Sequence, residues 1–520
     1  MVRQLIEVGI SDFVISPGSR NAPLSIALYQ AELAGLVDLH VRVDERGAGF
    51  FALGLSKASQ NYVVAICTSG TAAANLHPAM LEAFHSHERL LVITADRPER
   101  LRRTGSNQTT DHVGIMAPVK TIDCTQSIDI RGHLDGGPIH LNLQFDEPLL
   151  GDDRTDWLNG LHVRSLTPSS ISAQAISAQA ISAQAISVSG KGVLIVGHDR
   201  AGFSVAQVES LAKELGWPLI AEDPLSFSHS VPHAALLLSD PIIQEFLAPE
   251  QIIIVGRATL SRSISTYLAT CKNLVVIDPR TKTVDVNRKA NQIFTSIPAV
   301  NSQPDAQWVA RWKKVSASVA HLPFEWSEQA AISAITRAIP NESALFVGSS
   351  RPVRDIEAFA QPRTGIDTFA NRGLAGIDGN IASTFGIATH YERSYAIIGD
   401  LTFLHDISAL INPVDAKLMI FVIDNNGGGI FDTLPQAGVE GFEKIFGTPH
   451  GLNLEHVISG FGYPVDKAKS VADLERLVIH PFVGLHFVIV EVPDRKENAA
   501  RLKEITQSLC SAVRIGNNLA

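Results

Sequence analysis

Asp400 and Asn425 each close an apolar run in GDLTFLHDISALINPVDAKLMIFVIDNNGGGIF, residues 399–431. A carboxylate, an amide oxygen and a backbone carbonyl are hard oxygen ligands. With diphosphate oxygens and a water they complete the octahedron that Mg²⁺ demands. The glycines that follow leave backbone N–H groups free to approach phosphate. The same residues also suit plain strand ends, where Asp, Asn and Gly are common turn formers. No Gly-Lys-Ser/Thr follows the glycines, so the stretch is not a Walker loop. Glu45, in HVRVDERGAGFFALGLSKAS, falls after a strand pattern and at the start of a helix. It is either a carboxylate placed for proton chemistry or a favourable charge in a first helical turn that Asp44 caps. Arg20, Arg354 and Arg372 sit beside Gly or Ser near strand ends, where a guanidinium can grip a carboxylate with two parallel hydrogen bonds. Arg100, Arg102 and Arg103 read as solvated surface charges. His77, His85 and His87 lack metal-ligand spacing and read as helix surface or packing.

These residues need a scaffold, and the chain spells one out. Runs such as DFVISPGS, YVVAICTSG, LLVITADRP, GVLIVG, QIIIVG, ALFVGSS, YAIIGD and LMIFVIDNN are short and continuously apolar. Such runs suit strands buried on both faces, and hence parallel sheets. Helical patterns alternate with them, which predicts an α/β protein with doubly wound sheets. Many runs end in Gly, Ser or Asp, at the sheet edge where such folds bind ligands. Residues 169–190, SSISAQAISAQAISAQAISVSG, repeat a five-residue unit without charge and read as a linker. Three α/β domains are expected, at 1–165, 166–325 and 326–520.

Composition narrows the function. Of 520 residues, 45% are hydrophobic and 18% charged, as in a well-filled globular protein. The net charge of -10 argues against nucleic acid and anionic membrane as partners, though not against an anionic small substrate. The four cysteines form no CxxC or Cys/His pattern, so reduced thiols in a cytoplasmic protein are expected. No run is long and apolar enough to span a bilayer, and the N-terminus lacks the apolar core of a signal peptide.

The Gly399–Asn426 stretch resembles the thiamine diphosphate-binding motif, which begins Gly-Asp-Gly and ends in Asn-Asn. Here Leu401 takes the third position, and the paired asparagines fall on Asp424-Asn425. The segments SPGSRNAPL, VDERGAGF, CTSGTAAANLHPAMLEA, LLVITADRPERLRRTGSNQ, GSSRPVRD and NRGLAGIDG occur in that order. Together they resemble the 2-succinyl-5-enolpyruvyl-6-hydroxy-3-cyclohexene-1-carboxylate synthase family of thiamine diphosphate enzymes. The likeness is strong over the first 115 residues and most of 340–435, and weak in the middle domain. Relative to that family, a shortened first helix is expected before DFVISPGSR. The segment between GIMAPVKTID and GGPIHLNLQFDEPL is also shorter.

The resemblance implies pyrimidine-binding, central and diphosphate-binding domains in chain order. It implies a transferase that decarboxylates 2-oxoglutarate and adds the succinyl unit to isochorismate, in menaquinone or phylloquinone synthesis. Glu45 matches the glutamate that activates the pyrimidine ring. Ile377 matches the apolar residue that props the cofactor in its bent shape, and Ile430 and Phe431 pack near the thiazolium. Gly399, Asp400, Leu401, Asn425, Gly427 and Gly428 complete the cofactor site. Asp400, Asn425 and the Gly427 carbonyl would hold Mg²⁺ or Mn²⁺. Ser19, Arg20, Asn107, Gln108, Ser350, Arg354 and Arg372 match substrate-binding positions, with Arg262 as the middle-domain candidate. The cofactor's two halves come from different subunits in the family, which implies a homodimer or homotetramer. A pyruvate-using thiamine carboligase or decarboxylase, or an inactive binding relative, stays open on sequence alone.

Overall fold

The computed structural model describes residues 1–126, 128–150, 156–163, 186–280, 289–319 and 325–519. The chain divides into two compact units. One comprises Met1–Ala180, Gly373–Glu392 and Thr402–Lys417; the other comprises Ile181–Arg372, Arg393–Leu401 and Leu418–Ala520. Most of the repetitive linker candidate, residues 169–185, lies outside the described residues. Its last part, Ile186–Ser187, pairs in parallel with Val300–Asn301.

The first unit is built on a six-stranded sheet. Its order is Asp38–Val41, Asp12–Ile15, Val63–Cys67, Leu90–Asp96, Ile139–Gln144 and Thr121–Cys124, with every pairing parallel. Val63–Cys67 and Leu90–Asp96 are buried at every position, as the apolar runs predict for strands covered on both faces. In the shortened segment, a 3₁₀ turn at Ile130–His133 inserts Ile130, fully buried, into the core beneath the sheet edge. The Glu45–Ser59 helix starts at Asp44, whose side chain accepts the Arg46 N–H, and it is buried from Gly47 to Ser56. The Asn380–Ala388 helix crosses it closely. A β-carbon at Gly54 would lie 2.1 Å from the Ser383 carbonyl oxygen, so only glycine admits this approach.

The second unit carries two parallel sheets. The five-stranded one runs Gln292–Phe294, Leu274–Ile277, Gln251–Val255, Gly192–Val196 and Leu219–Ala221. The six-stranded one runs Ile366–Phe369, Ser343–Val347, Ser394–Gly399, Leu418–Asp424, Leu485–Glu491 and Val465–Ala468. Counted along the chain, this last sheet repeats the strand order of the first unit's sheet, 2-1-3-4-6-5. The order reverses direction between its first and third strands, and ligands of such sheets sit outside the carboxyl ends at that reversal. Gly348–Ser350 and Gly399–Asp400 lie there in one sheet; Ser16–Arg20 and Thr68–Gly70 lie there in the other.

Candidate active site

In the second unit, the carboxyl ends of Ser394–Gly399 and Leu418–Asp424 are adjacent in the sheet and bring Asp400 and Asn425 together. Asp400 is 2% exposed. Its Oδ1 accepts the Leu401 N–H at 2.6 Å, and its Oδ2 accepts the Gly427 N–H at 2.8 Å. That second bond fastens the glycine turn to the preceding strand end. Gly427 has φ +138°, and a β-carbon there would meet the Gly447 carbonyl oxygen at 2.2 Å. Gly428 donates to that same carbonyl at 2.8 Å. The 3₁₀ turn Gly429–Thr433 then presents Ile430 and Phe431, both half-buried, with Phe431 packed 5.4 Å from Phe446. Arg495 steadies this turn by pairing with Asp432 and Glu443.

Asn425 is buried, and its two amide atoms differ. Nδ2 donates to the buried carboxylate of Glu328, whereas Oδ1 is enclosed with no hydrogen-bond partner. A buried amide oxygen left without a donor is costly unless something else satisfies it. An oxygen-seeking divalent cation is such a partner, and Asp400 and the Gly427 backbone complete the donor set. The residues present therefore fit the metal implied by the motif.

His450 joins this corner without any signal in the sequence. Its Nδ1 accepts the Leu452 N–H at 3.0 Å, which leaves the proton on Nε2. Nε2 faces Asp400 Oδ2 at 3.3 Å and Asp424 Oδ1 at 3.6 Å. His450 is therefore a donor to the carboxylates, and the Asp400 hydrogen bond raises its own pKa. Burial, then the charge of Asp400, raises the Asp424 carboxyl. Asp424 also accepts the Asn426 N–H at 3.2 Å, so it helps shape the turn.

Ser350, Arg354 and Arg372 belong to the same unit. Ser350 (φ +74°) precedes the Arg351–Phe359 helix, and Arg354 donates to its carbonyl at 2.7 Å. Burial first, then the charges of Arg372 and Arg351, lowers the Arg354 pKa, so these cations crowd one region. Such crowding suits an anionic ligand. Arg372 is 5% exposed and donates to Thr259 at 3.1 Å. From the five-stranded sheet, Arg257 reaches the Arg372 carbonyl at 3.4 Å. Arg262 lies exposed at the first residue of the Arg262–Thr270 helix.

In the first unit, Glu45 is half-buried at the start of its helix, with Asn75 Nδ2 3.4 Å from its Oε2. Burial, with Glu45's charge added, raises the thiol of Cys67 well above its usual range. Ser19 is exposed. Arg20 donates to the Phe145 carbonyl at 3.1 Å and pairs with Glu147 at 3.1 Å. Asn107 and Gln108 are exposed, and Gln108 (φ +54°) donates to the Ser69 carbonyl at 3.0 Å. Arg97 binds both Ser69 Oγ and the Gln108 carbonyl at 2.6 Å, which locks these two loops together. The loop that carries Ile377 is tied by Glu82, which is 3% exposed. Glu82 accepts the N–H groups of Gly373, Leu374 and Ala375 at 2.6, 2.7 and 3.4 Å. His77, read from sequence as surface or packing, lies 2.8 Å from the Ala117 carbonyl oxygen.

The chain's similarities to known proteins agree with this picture. Residues 1–115 match the N-terminal TPP binding domain of thiamine pyrophosphate enzymes, and residues 156–347 match the family described as the middle domain of thiamine pyrophosphate. A protein of Nocardioides sp. is 37% identical over 97% of this chain and 96% of its own length. One from Saccharopolyspora erythraea is 34% identical, covering 99% and 97%, and one from Thermobifida fusca is 33% identical, covering 99% and 98%. All three are named 2-succinyl-5-enolpyruvyl-6-hydroxy-3-cyclohexene-1-carboxylate synthase.

Proposed function

The chain belongs to the 2-succinyl-5-enolpyruvyl-6-hydroxy-3-cyclohexene-1-carboxylate synthase family, and we infer that it performs that reaction with its own residues as follows. It is a thiamine diphosphate-dependent transferase of menaquinone synthesis. It decarboxylates 2-oxoglutarate and adds the succinyl unit 1,4 to isochorismate, releasing CO₂. The observation that carries the site assignment is the partnerless Oδ1 of buried Asn425 beside Asp400 and the Gly427 backbone.

Bound thiamine diphosphate supplies a nucleophilic carbon and an electron sink for the carboxylate that leaves. The protein's part is position and charge. Asp400, Asn425 and the Gly427 carbonyl hold Mg²⁺ or Mn²⁺, and Gly399, Leu401 and Gly428 line the diphosphate. Glu45 would hydrogen-bond the pyrimidine ring, a proton-positioning role suited to a half-buried carboxylate. Ile377, Ile430 and Phe431 give the cofactor an apolar rest. Ser350, Arg354 and Arg372, with Ser19, Arg20, Asn107 and Gln108, receive the substrates' carboxylates and hydroxyls. Arg262 is the central domain's contribution.

We assign the pyrimidine-binding domain to 1–165, the central domain to 166–325 and the diphosphate-binding domain to 326–520. A homodimer or homotetramer with active sites at the subunit interface follows from the family pattern. A cytoplasmic location is supported by four free, buried thiols. Among the described residues, no helix is long and apolar enough to cross a membrane.

The test is a product assay by mass spectrometry, with thiamine diphosphate, Mg²⁺, isochorismate and either 2-oxoglutarate or pyruvate. Succinyl adduct from 2-oxoglutarate alone is expected; pyruvate-derived product would reassign the substrate. Glu45→Gln should still bind the cofactor by calorimetry yet lose turnover by about 10²-fold or more, the scale of one proton-transfer group. Full activity in that variant would remove Glu45 from the chemistry.

A further inference from the structure

We propose that Glu328 is the positioning residue that sets the orientation of the Asn425 amide, and so decides that an oxygen faces the metal. The proposal rests on the metal assignment above. An asparagine side chain offers an oxygen and a nitrogen of nearly equal size, and only the oxygen can ligate a cation. A strand end cannot choose between the two orientations, since a half-turn about the last side-chain bond exchanges them. Glu328 makes the choice.

Glu328 is the first residue of the Glu328–Ala338 helix, 97 positions before Asn425, and is 3% exposed. Its Oε1 accepts from Asn425 Nδ2. Its backbone N–H donates to Asn498 Oδ1 at 2.9 Å, which fixes the helix start. Arg351 stands 3.9 Å from Oε2 and offsets the buried charge. In its ionised form, which Arg351 and the Asn425 hydrogen bond favour against burial, Glu328 has no donor to offer the amide oxygen, and only the nitrogen of Asn425 can face it. With Nδ2 thus engaged, Oδ1 is the atom left buried without a partner. Outer-sphere partners that orient a metal ligand typically carry 10- to 100-fold of metal affinity.

The test is Mn²⁺ binding to the full-length protein in the presence of thiamine diphosphate, read from the electron paramagnetic resonance signal of free Mn²⁺. Glu328→Ala should weaken Mn²⁺ binding about 10- to 100-fold. Glu328→Gln carries a donor as well as an acceptor and can face either end of Asn425, so it should recover only part of that loss. The decisive variant is Asn425→Asp, which has an oxygen at both ends and needs no orientation. Glu328 then has no amide nitrogen to hold, so adding Glu328→Ala to Asn425→Asp should cost Mn²⁺ only the attraction of a nearby negative charge, a much smaller loss than in the Asn425 background. A merely structural role would weaken binding equally in both backgrounds. Glu328→Ala within twofold of the parent protein, or an equal loss in both backgrounds, overturns the proposal. Asp400→Ala is the control. If it also keeps Mn²⁺, the metal assignment itself is wrong; if it loses Mn²⁺ while Glu328→Ala does not, only the role of Glu328 is wrong.

Discussion

Asp400 and Asp424 share one imidazole. His450 Nε2 lies 3.3 Å from the first carboxylate and 3.6 Å from the second, standing between two like charges. Without that donor the two carboxylates repel more strongly, and a cation between them would relieve the repulsion. His450→Leu should therefore lower the unfolding temperature of the metal-free protein, by an amount equivalent to roughly 1–3 kcal/mol. The gain on adding Mg²⁺ should be larger than in the parent protein. Calorimetry with and without Mg²⁺ reads both, and an unchanged Mg²⁺ gain would remove His450 from the metal's surroundings.

His140 tests burial in a different way. It is fully buried on Ile139–Gln144, with Nε2 2.9 Å from Thr94 Oγ1 and Nδ1 2.9 Å from Thr121 Oγ1. Burial first, then the neighbouring His112, pulls its pKa down from 6.5 to about 3. Above pH 6.5 the ring is neutral folded or unfolded and contributes nothing. As pH falls below that, the unfolded chain takes up a proton that the folded one refuses. Stability is then lost by about 1.4 kcal/mol per pH unit until the folded pKa is reached. Denaturant unfolding at pH 7, 5 and 4 should show this slope in the parent and a shallower one in His140→Gln; parallel slopes would mean His140 is not the group.

Among elements, the Gly373–Gly379 loop shows how much a single carboxylate can organise. Glu82, on the Thr71–Ser86 helix, binds three successive N–H groups of that loop. Glu82→Ala should leave the helix formed and free the loop. Hydrogen exchange at Gly373 and Leu374 should speed up by about 10-fold or more, the equivalent of one lost charged hydrogen bond. On the role proposed for Ile377, the cofactor should also bind less tightly. Unchanged exchange would show that the loop is held by other contacts.

This also marks what the sequence could and could not reveal. The strand ends at Asp400 and Asn425 and the glycine turn at Gly427 were legible because strand and turn follow one another in the chain. Continuous apolar runs likewise disclosed buried parallel strands and so the sheet class. Glu82, Glu328 and His450 were not legible, since each acts on a partner brought close only by folding: Glu328 on Asn425, His450 on Asp400. A buried acid on a helix has no local pattern that separates it from a surface one. Asp424 departs from the motif's paired asparagines, and its place becomes intelligible only once His450 stands beside it.

For the whole molecule, association is the property to measure. Ile26, Tyr29 and Leu33 lie three and four residues apart on the Ala22–Leu33 helix and are 45%, 54% and 71% exposed. A contiguous apolar stripe of that kind supports a subunit interface. Light scattering should give two or four times the mass of one chain, and full activity in a monomer would overturn the shared-site reading.

The two sheets with strand order 2-1-3-4-6-5 carry a meaning beyond ligand placement. Each first strand of the pair runs into a short corner ending in Ser-Arg, Ser19-Arg20 in one and Ser350-Arg351 in the other. A repeated wiring diagram with a repeated corner is what duplication of an ancestral gene leaves behind. On that view the ancestor was one layer able to cradle one ligand. Its descendants then diverged by swapping corner residues while the framework stayed put.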